Sequence, residues 1–227
     1  MVEKLPHIIV GIDEAGRGPI LGPLVLVALA FKEEDQKKLQ WLGVKDSKLL
    51  SVEVREELFE RIRELVHDFR IEVIEPDAID LSLTQENTNL NWLEADTAAR
   101  LASELAPDTI IVDCPSPNLR AYQDYFAGKL TAAAQKAKLV VEHKADVNHI
   151  TVAAASIIAK VIRDRHIEHI KAEIGIDFGS GYLSDPKTQD FLQKYHDQQQ
   201  YQHLFRKRWQ PYKDLAEAKK QKKLGEF

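Results

Sequence analysis

The chain has 227 residues, of which 44% are hydrophobic and 30% charged, with a net charge of −5 and one cysteine. That length supports one full core and the composition excludes wholesale disorder. A single cysteine, Cys114, rules out an internal disulfide, and together with the lack of a secretory pattern in "MVEKLPHIIV" it points to a cytoplasmic protein.

No apolar run approaches the length that spans a bilayer, so no membrane partner is expected. The charge is uneven. From Lys194 to Phe227 there are nine Lys/Arg against four Asp/Glu, while the rest of the chain holds 22 against 32. A basic tail on an acidic body suits a protein that gathers carboxylates in one place and meets a polyanion in another, and equally a solvated helical end.

In chain order, His7–Ile12 and Leu24–Phe31 read as neighbouring strands, a hairpin through "DEAGRGPILGP". Asp13 and Glu14 end the first strand. Consecutive strand residues point to opposite faces, so for both acids to reach one site Glu14 has to lie already in the turn. Gly16, Gly18 and Gly22 miss the G-x-G-x-x-G spacing and no P-loop lysine follows, which excludes a cofactor loop. Glycines here let backbone approach a ligand closely.

Ser51 is the expected N-cap of "VEVREELFERIRELV", whose Val54, Leu58, Ile62, Leu65 and Val66 share a face. "FRIEVIEP" reads as a strand stopped by Pro76, and a helix is expected over about Gln85–Leu105. "TIIVDCP" is a short strand ending on Asp113. "KLVVEHKAD" is another, with Asp146 at or just past its end. Thr151–Ala172 is helical, with "AAAS" (Ala153 to Ser156) as a small-residue packing face. The glycine-rich loop "GIDFGSGYLSDP" carries Tyr182, and helices are expected near Asp185–Gln200 and Pro211–Lys223. The order implies an α/β fold with a mixed sheet and a C-terminal helical extension, divided as 1–185 and 186–227.

Asp13, Asp113 and Asp146 each end a strand, where α/β sheets collect functional groups. Acids gathered there repel one another unless hard cations intervene. The spacing by itself leaves both a capping role and a metal role open. His166 and His169 lack further ligands at zinc spacing. Cys114 fits a buried filler, and "RKRW" (Arg206 to Trp209) fits either a duplex-backbone grip or ordinary surface.

"GIDEAGRGPILGPLV", "KDSK", "IIVDCPSPN", "HKAD…AAASIIAKVIRDR" and "GSGYLSDPKT" resemble, in order, the motifs of type 2 ribonucleases H, and "VDCPSPN" is closer to the archaeal branch. The likeness runs from about Val10 to Trp209. It implies an RNase H-like fold and cleavage, with Mg²⁺ or Mn²⁺, of RNA in RNA–DNA hybrids and at ribonucleotides embedded in duplex DNA, leaving a 3′-hydroxyl and a 5′-phosphate. By resemblance Asp13, Glu14, Asp113 and Asp146 are the metal-binding catalytic acids. Gly16, Arg17 and Gly18 form the turn that reads the ribose 2′-hydroxyl, Tyr182 packs on the neighbouring deoxyribose, and Lys48 contacts phosphate.

Leu183 stands where proline is usual, and "VNHI" follows Asp146 where small hydroxyl or lysine residues are common. Both departures bear on substrate preference. Gln221, Leu224 and Phe227 resemble the spacing of peptides that bind the replication sliding clamp, without the usual second aromatic, and a frayed helix end fits them as well. The alternatives to a nuclease are a hybrid-binding module without chemistry and a carboxylate–Mg²⁺ phosphatase. Nothing in the sequence demands more than a monomer.

Overall fold

The computed structural model describes residues 5–44, 50–86 and 88–225. Within them strands β1 (Ile8–Ala15), β2 (Leu24–Lys32), β3 (Asp68–Ile74), β4 (Thr109–Asp113) and β5 (Lys138–Glu142) form one sheet in the order β3-β2-β1-β4-β5. β1 and β2 are antiparallel, whereas β1–β4 and β4–β5 are parallel, so the sheet is mixed. Among the described residues the helices are α1 (Gln36–Trp41), α2 (Val52–Leu65), α3 (Pro76–Ser82), α4 (Leu90–Ser103), α5 (Leu119–Lys129), α6 (Ala145–Asn148), α7 (Ile150–Ile174), α8 (Pro186–Tyr195) and α9 (Gln210–Gly225). No described helix is long and apolar enough to cross a membrane.

The chain gathers into two compact units. The first takes residues 1–15, 25–72 and 90–162; the second takes 16–24, 73–89 and 163–227. In the first, β2 is buried on both faces from Val25 to Phe31. That is why its run "LVLVALAF" does not alternate. The Ala-rich face of α4 packs on β1 and α5. At Gly11 an added Cβ would strike the backbone of Thr151, so β1 meets the start of α7 at a distance only glycine allows. The second unit has its own apolar core of Ile20, Leu21, Ile167, Phe178, Phe191, Leu192, Leu204 and Phe205.

The hairpin, the Ser51 cap (its hydroxyl accepts from the Val54 amide at 3.4 Å) and the long helix after Asn148 follow the sequence expectations. Three local expectations fail. Pro76 does not merely stop β3; it opens α3 as its first residue, where the missing N–H is no loss. The helix expected from Gln85 starts at Leu90, because residues 83–86 turn instead. α5 was not anticipated, although Asn118 caps it by accepting from the Ala121 amide at 3.1 Å.

Candidate active site

The acidic cluster is built in the first unit by strand register. Ile12 pairs with Val112 across parallel β1 and β4, so the next residues, Asp13 and Asp113, lie at the same level of neighbouring strands. Glu14 does not leave the strand as expected. It pairs with Leu26, and β1 continues to Ala15 opposite Val25 before the chain turns at Gly16. The hairpin ladder outweighs the turn propensity of the glycines, yet the Glu14 charge still acts strongly on Asp13, so staying in the strand does not keep the two acids apart.

Asp13 is buried, at 6% exposure. Its carboxyl is pushed well above the ordinary carboxylate range, first by burial and then by the negative charges of Glu14 and Asp113. Two hydrogen bonds oppose the shift, one from the Ser156 hydroxyl of α7 and one from the Glu14 amide, which reaches Asp13 Oδ1 at 2.8 Å. Asp113 Oδ1 accepts from the Ala145 amide at 2.7 Å. That bond ties the end of β4 to α6, whose second residue is the buried Asp146. Asp146 thus lies four residues past β5, on a helical turn reached through Lys144 in the left-handed conformation.

Ser156 does more than complete the small-residue packing face expected of it. The signal was present: it is the one hydroxyl in the run from Val152 to Ala159.

Among the described residues no group of three or more His, Cys, Asp and Glu side chains is drawn together tightly enough to hold a metal ion by itself. The donor set nevertheless fits a hard divalent cation. All of it is carboxylate oxygen, and Mg²⁺ commonly takes one or two carboxylates and completes its shell with water and phosphate oxygens. A cation bound beside the buried Asp13, whose charge is opposed by two neighbours, would relieve that conflict.

The glycine turn belongs to the second unit, although Gly16 follows Ala15 directly in the chain. Gly16 has φ +85°, and a Cβ there would meet the Pro23 carbonyl oxygen at 2.5 Å, so the position admits only glycine without strain. Gly18 is exposed and lies beside the Tyr182 ring, close enough that a Cβ would sit 3.7 Å from Cε1. The Tyr182 loop is tied to the turn segment by the Gly181 carbonyl, which accepts from the Ile20 amide at 2.9 Å.

Buried Arg163 stands behind both. Its guanidinium lies 5.1 Å from the Tyr182 ring centre and donates to the Ser180 carbonyl at 2.5 Å, and its Cγ packs against Gly16. Asp185 fixes the far side of the loop, accepting from the Ser180 amide at 2.7 Å and capping α8 through the Lys187 amide at 3.0 Å.

Arg206 overturns its sequence reading. It is fully buried and donates to backbone carbonyls of the turn, so it is no part of a surface grip on a duplex. Cys114 is buried, as expected. Lys48 and Phe227 lie outside the described residues, as does the side chain of Leu224; Gln221 is exposed on α9.

The Ribonuclease HII family model matches residues 10–212. A Ribonuclease HII of Methanococcus maripaludis (strain C6) is 43% identical over 97% of this chain and 92% of its own length, and one of Pyrococcus abyssi is 39% identical over 95% and 94%. The crystal structure of ribonuclease H2 from Pyrococcus horikoshii superposes with a TM-score of 0.82 at 36% identity, covering 93% of this chain and 98% of that one. The RNase HII of a PCNA:RNase HII complex from Archaeoglobus fulgidus gives 0.79 at 37% identity, over 89% and 95%. Bst-RNase HIII in complex with Mn²⁺, at 22% identity and a TM-score of 0.76, shares the fold.

Proposed function

The chain belongs to the ribonuclease HII family, and from that premise we propose a divalent-metal endoribonuclease that hydrolyses the RNA strand of RNA–DNA hybrids. It also nicks duplex DNA on the 5′ side of an embedded ribonucleotide, leaving a 3′-hydroxyl and a 5′-phosphate. The observation that carries this reading is Asp13, a buried carboxylate set against Glu14 and Asp113 at the ends of adjacent strands.

In this reading Asp13, Glu14, Asp113 and Asp146 hold Mg²⁺ or Mn²⁺. Two such ions, when bound, supply activation of the attacking water and charge stabilisation at the leaving oxygen of an in-line displacement. The chain's own part is to hold the ligands ready. Ser156 and the Glu14 amide orient Asp13, and the Ala145 amide orients Asp113 while keeping α6 and Asp146 at the end of β4. Ligands fixed in this way need no reorganisation when substrate arrives.

The Gly16-Arg17-Gly18 backbone reads the ribose 2′-hydroxyl, the one group that separates RNA from DNA at a given site. Tyr182, beside Gly18 and backed by Arg163, packs on the neighbouring deoxyribose, and Lys48 contacts phosphate. A sliding clamp is the proposed partner of Gln221, Leu224 and Phe227. The complex solved for the Archaeoglobus fulgidus relative supports that choice.

The deciding experiment is incubation of the protein with a DNA duplex carrying one ribonucleotide, in Mg²⁺ or in EDTA. Nicking 5′ of the ribonucleotide, in Mg²⁺ only, is expected; an intact duplex with folded protein rejects the nuclease in favour of a binding module. For the clamp, deleting residues 224–227 is expected to abolish binding to the immobilised clamp, and unchanged affinity dismisses that partner.

A further inference from the structure

Arg206 is the largest of the fully buried side chains, and it is a cation. Its guanidinium donates to the carbonyl of Gly16 (Nη2, 2.5 Å), to that of Arg17 (Nη1, 2.8 Å) and to that of Gly22 (Nε at 3.1 Å, Nη2 at 2.9 Å). Its face lies 5.1 Å from the centre of the Trp209 ring. Its backbone amide donates to the Ile20 carbonyl at 2.9 Å. A residue almost two hundred positions away therefore holds the segment 16–22 at four carbonyls.

Burying a guanidinium is costly, and neutral donors could anchor a loop. What the fork adds is geometry. The carbonyls of Gly16 and Arg17 belong to the same peptide units as the amides of Arg17 and Gly18. No described peptide is cis, and in a trans peptide the N–H points opposite to the C=O. Drawing both oxygens onto one planar cation therefore aims both N–H groups away from it, side by side. Successive amides turned the same way form a concave donor site. The cation against the oxygens also polarises the two peptides and strengthens their N–H groups as donors.

We propose that Arg206 is a positioning residue that fixes the peptide planes of Gly16-Arg17-Gly18, so that the amides of Arg17 and Gly18 converge on the ribose 2′-hydroxyl. Arg206 thereby sets the discrimination between ribose and deoxyribose. The inference rests on the proposed reading of this turn as the 2′-hydroxyl sensor. Arg206 itself touches no substrate; it acts through the backbone it holds. Trp209, by flooring the guanidinium, keeps the fork in the plane of the carbonyls.

The test is equilibrium binding in EDTA to two DNA duplexes that differ only in a 2′-hydroxyl or hydrogen at one position. The wild-type chain is expected to prefer the ribonucleotide duplex by about tenfold, the worth of one well-placed hydrogen-bonded group. Arg206→Lys keeps the charge and loses the fork. It is expected to bring the preference to about twofold or less while affinity for the all-deoxy duplex changes little.

A merely structural role would weaken both duplexes together and leave their ratio untouched. A preference held near tenfold in folded Arg206→Lys overturns the inference and leaves the reading of the turn standing. No preference in the wild-type chain overturns the reading of the turn, and the inference with it. Where Arg206→Lys does not give a folded protein by circular dichroism, Trp209→Leu decides. It retains every donor but removes the ring, and about threefold preference is expected against an overturning tenfold.

Discussion

The two units each bury a charged side chain, and they treat it in opposite ways. In the first, Asp13 is buried with two like charges beside it, opposed among the described residues by the Ser156 hydroxyl and one amide. In the second, Arg206 is buried with its fork donating to three carbonyl oxygens and its face on an aromatic ring. A buried charge left in conflict is a request for an ion from outside, whereas a buried charge fully met by backbone is scaffold. The same measure, burial of an ionisable group, goes with the proposed ligand site in one unit and with a backbone strut in the other. What separates them is the company each keeps.

Asp13→Asn is the strongest way to break that contrast. Cleavage should fall by ~10³-fold or more, since metal-borne charge stabilisation is worth several kcal/mol. The metal-free protein should become more stable. Asp13 holds its proton more tightly in the folded chain than in the unfolded one, so the fold takes up a proton. Its stability is complete at low pH, then falls as pH rises from the ordinary value of 3.8 through the raised folded value. Asparagine removes that loss. Thermal melts in EDTA at pH 7 should therefore place the variant above the wild type, with Mg²⁺ raising the melting temperature of the wild type alone. A variant that melts lower in EDTA and still responds to Mg²⁺ would show that Asp13 is scaffold as well.

Gly16→Ala probes the other side. A side chain at φ +85° that meets the Pro23 carbonyl should cost about 1–3 kcal/mol. In a chain of this size that lowers the melting temperature by roughly 2–4 °C per kcal/mol. An unchanged melting curve would mean the turn yields easily and that Arg206 does not hold it.

The smallest effect is expected at Asp177, an exposed acid that Lys187, the Gly179 amide and Lys171 hold below the ordinary carboxylate range. A depressed folded value contributes stability above the unfolded value of 3.8 that is lost as pH falls toward the folded one. Asp177→Asn should lower the melting temperature slightly at pH 7, less so in high salt, and not at all in strong acid. Equal lowering at every pH would assign the effect to the Gly179 hydrogen bond rather than to charge.

Much of the site was legible along the chain because its acids sit at the ends of apolar runs. The strand that carries Asp13 and the one ending on Asp113 could be read from their apolar runs. The Ser51 cap and the long helix after Asn148 were legible for the same local reason. Glu14 was misjudged because turn propensity is local while the pairing that keeps it extended comes from β2. Ser156 and Arg206 were misjudged more deeply. A serine among alanines and an arginine in a basic cluster look like packing and surface until the fold brings Asp13 to the one and the Gly16–Gly22 carbonyls to the other.

The sequence by itself determined the family and the mixed α/β order, and through its ordered motifs it nominated the four acids, because strand ends and motifs are each written within a few neighbouring residues. Tertiary structure alone decided the register that sets Asp13 level with Asp113, the burial that raises the Asp13 carboxyl beside two like charges, and the reach of Arg206 to the glycine turn. Those depend on which residues meet across a hundred positions or more. Burial and electrostatic conflict are properties of what surrounds a side chain, and the surroundings exist only once the chain has folded.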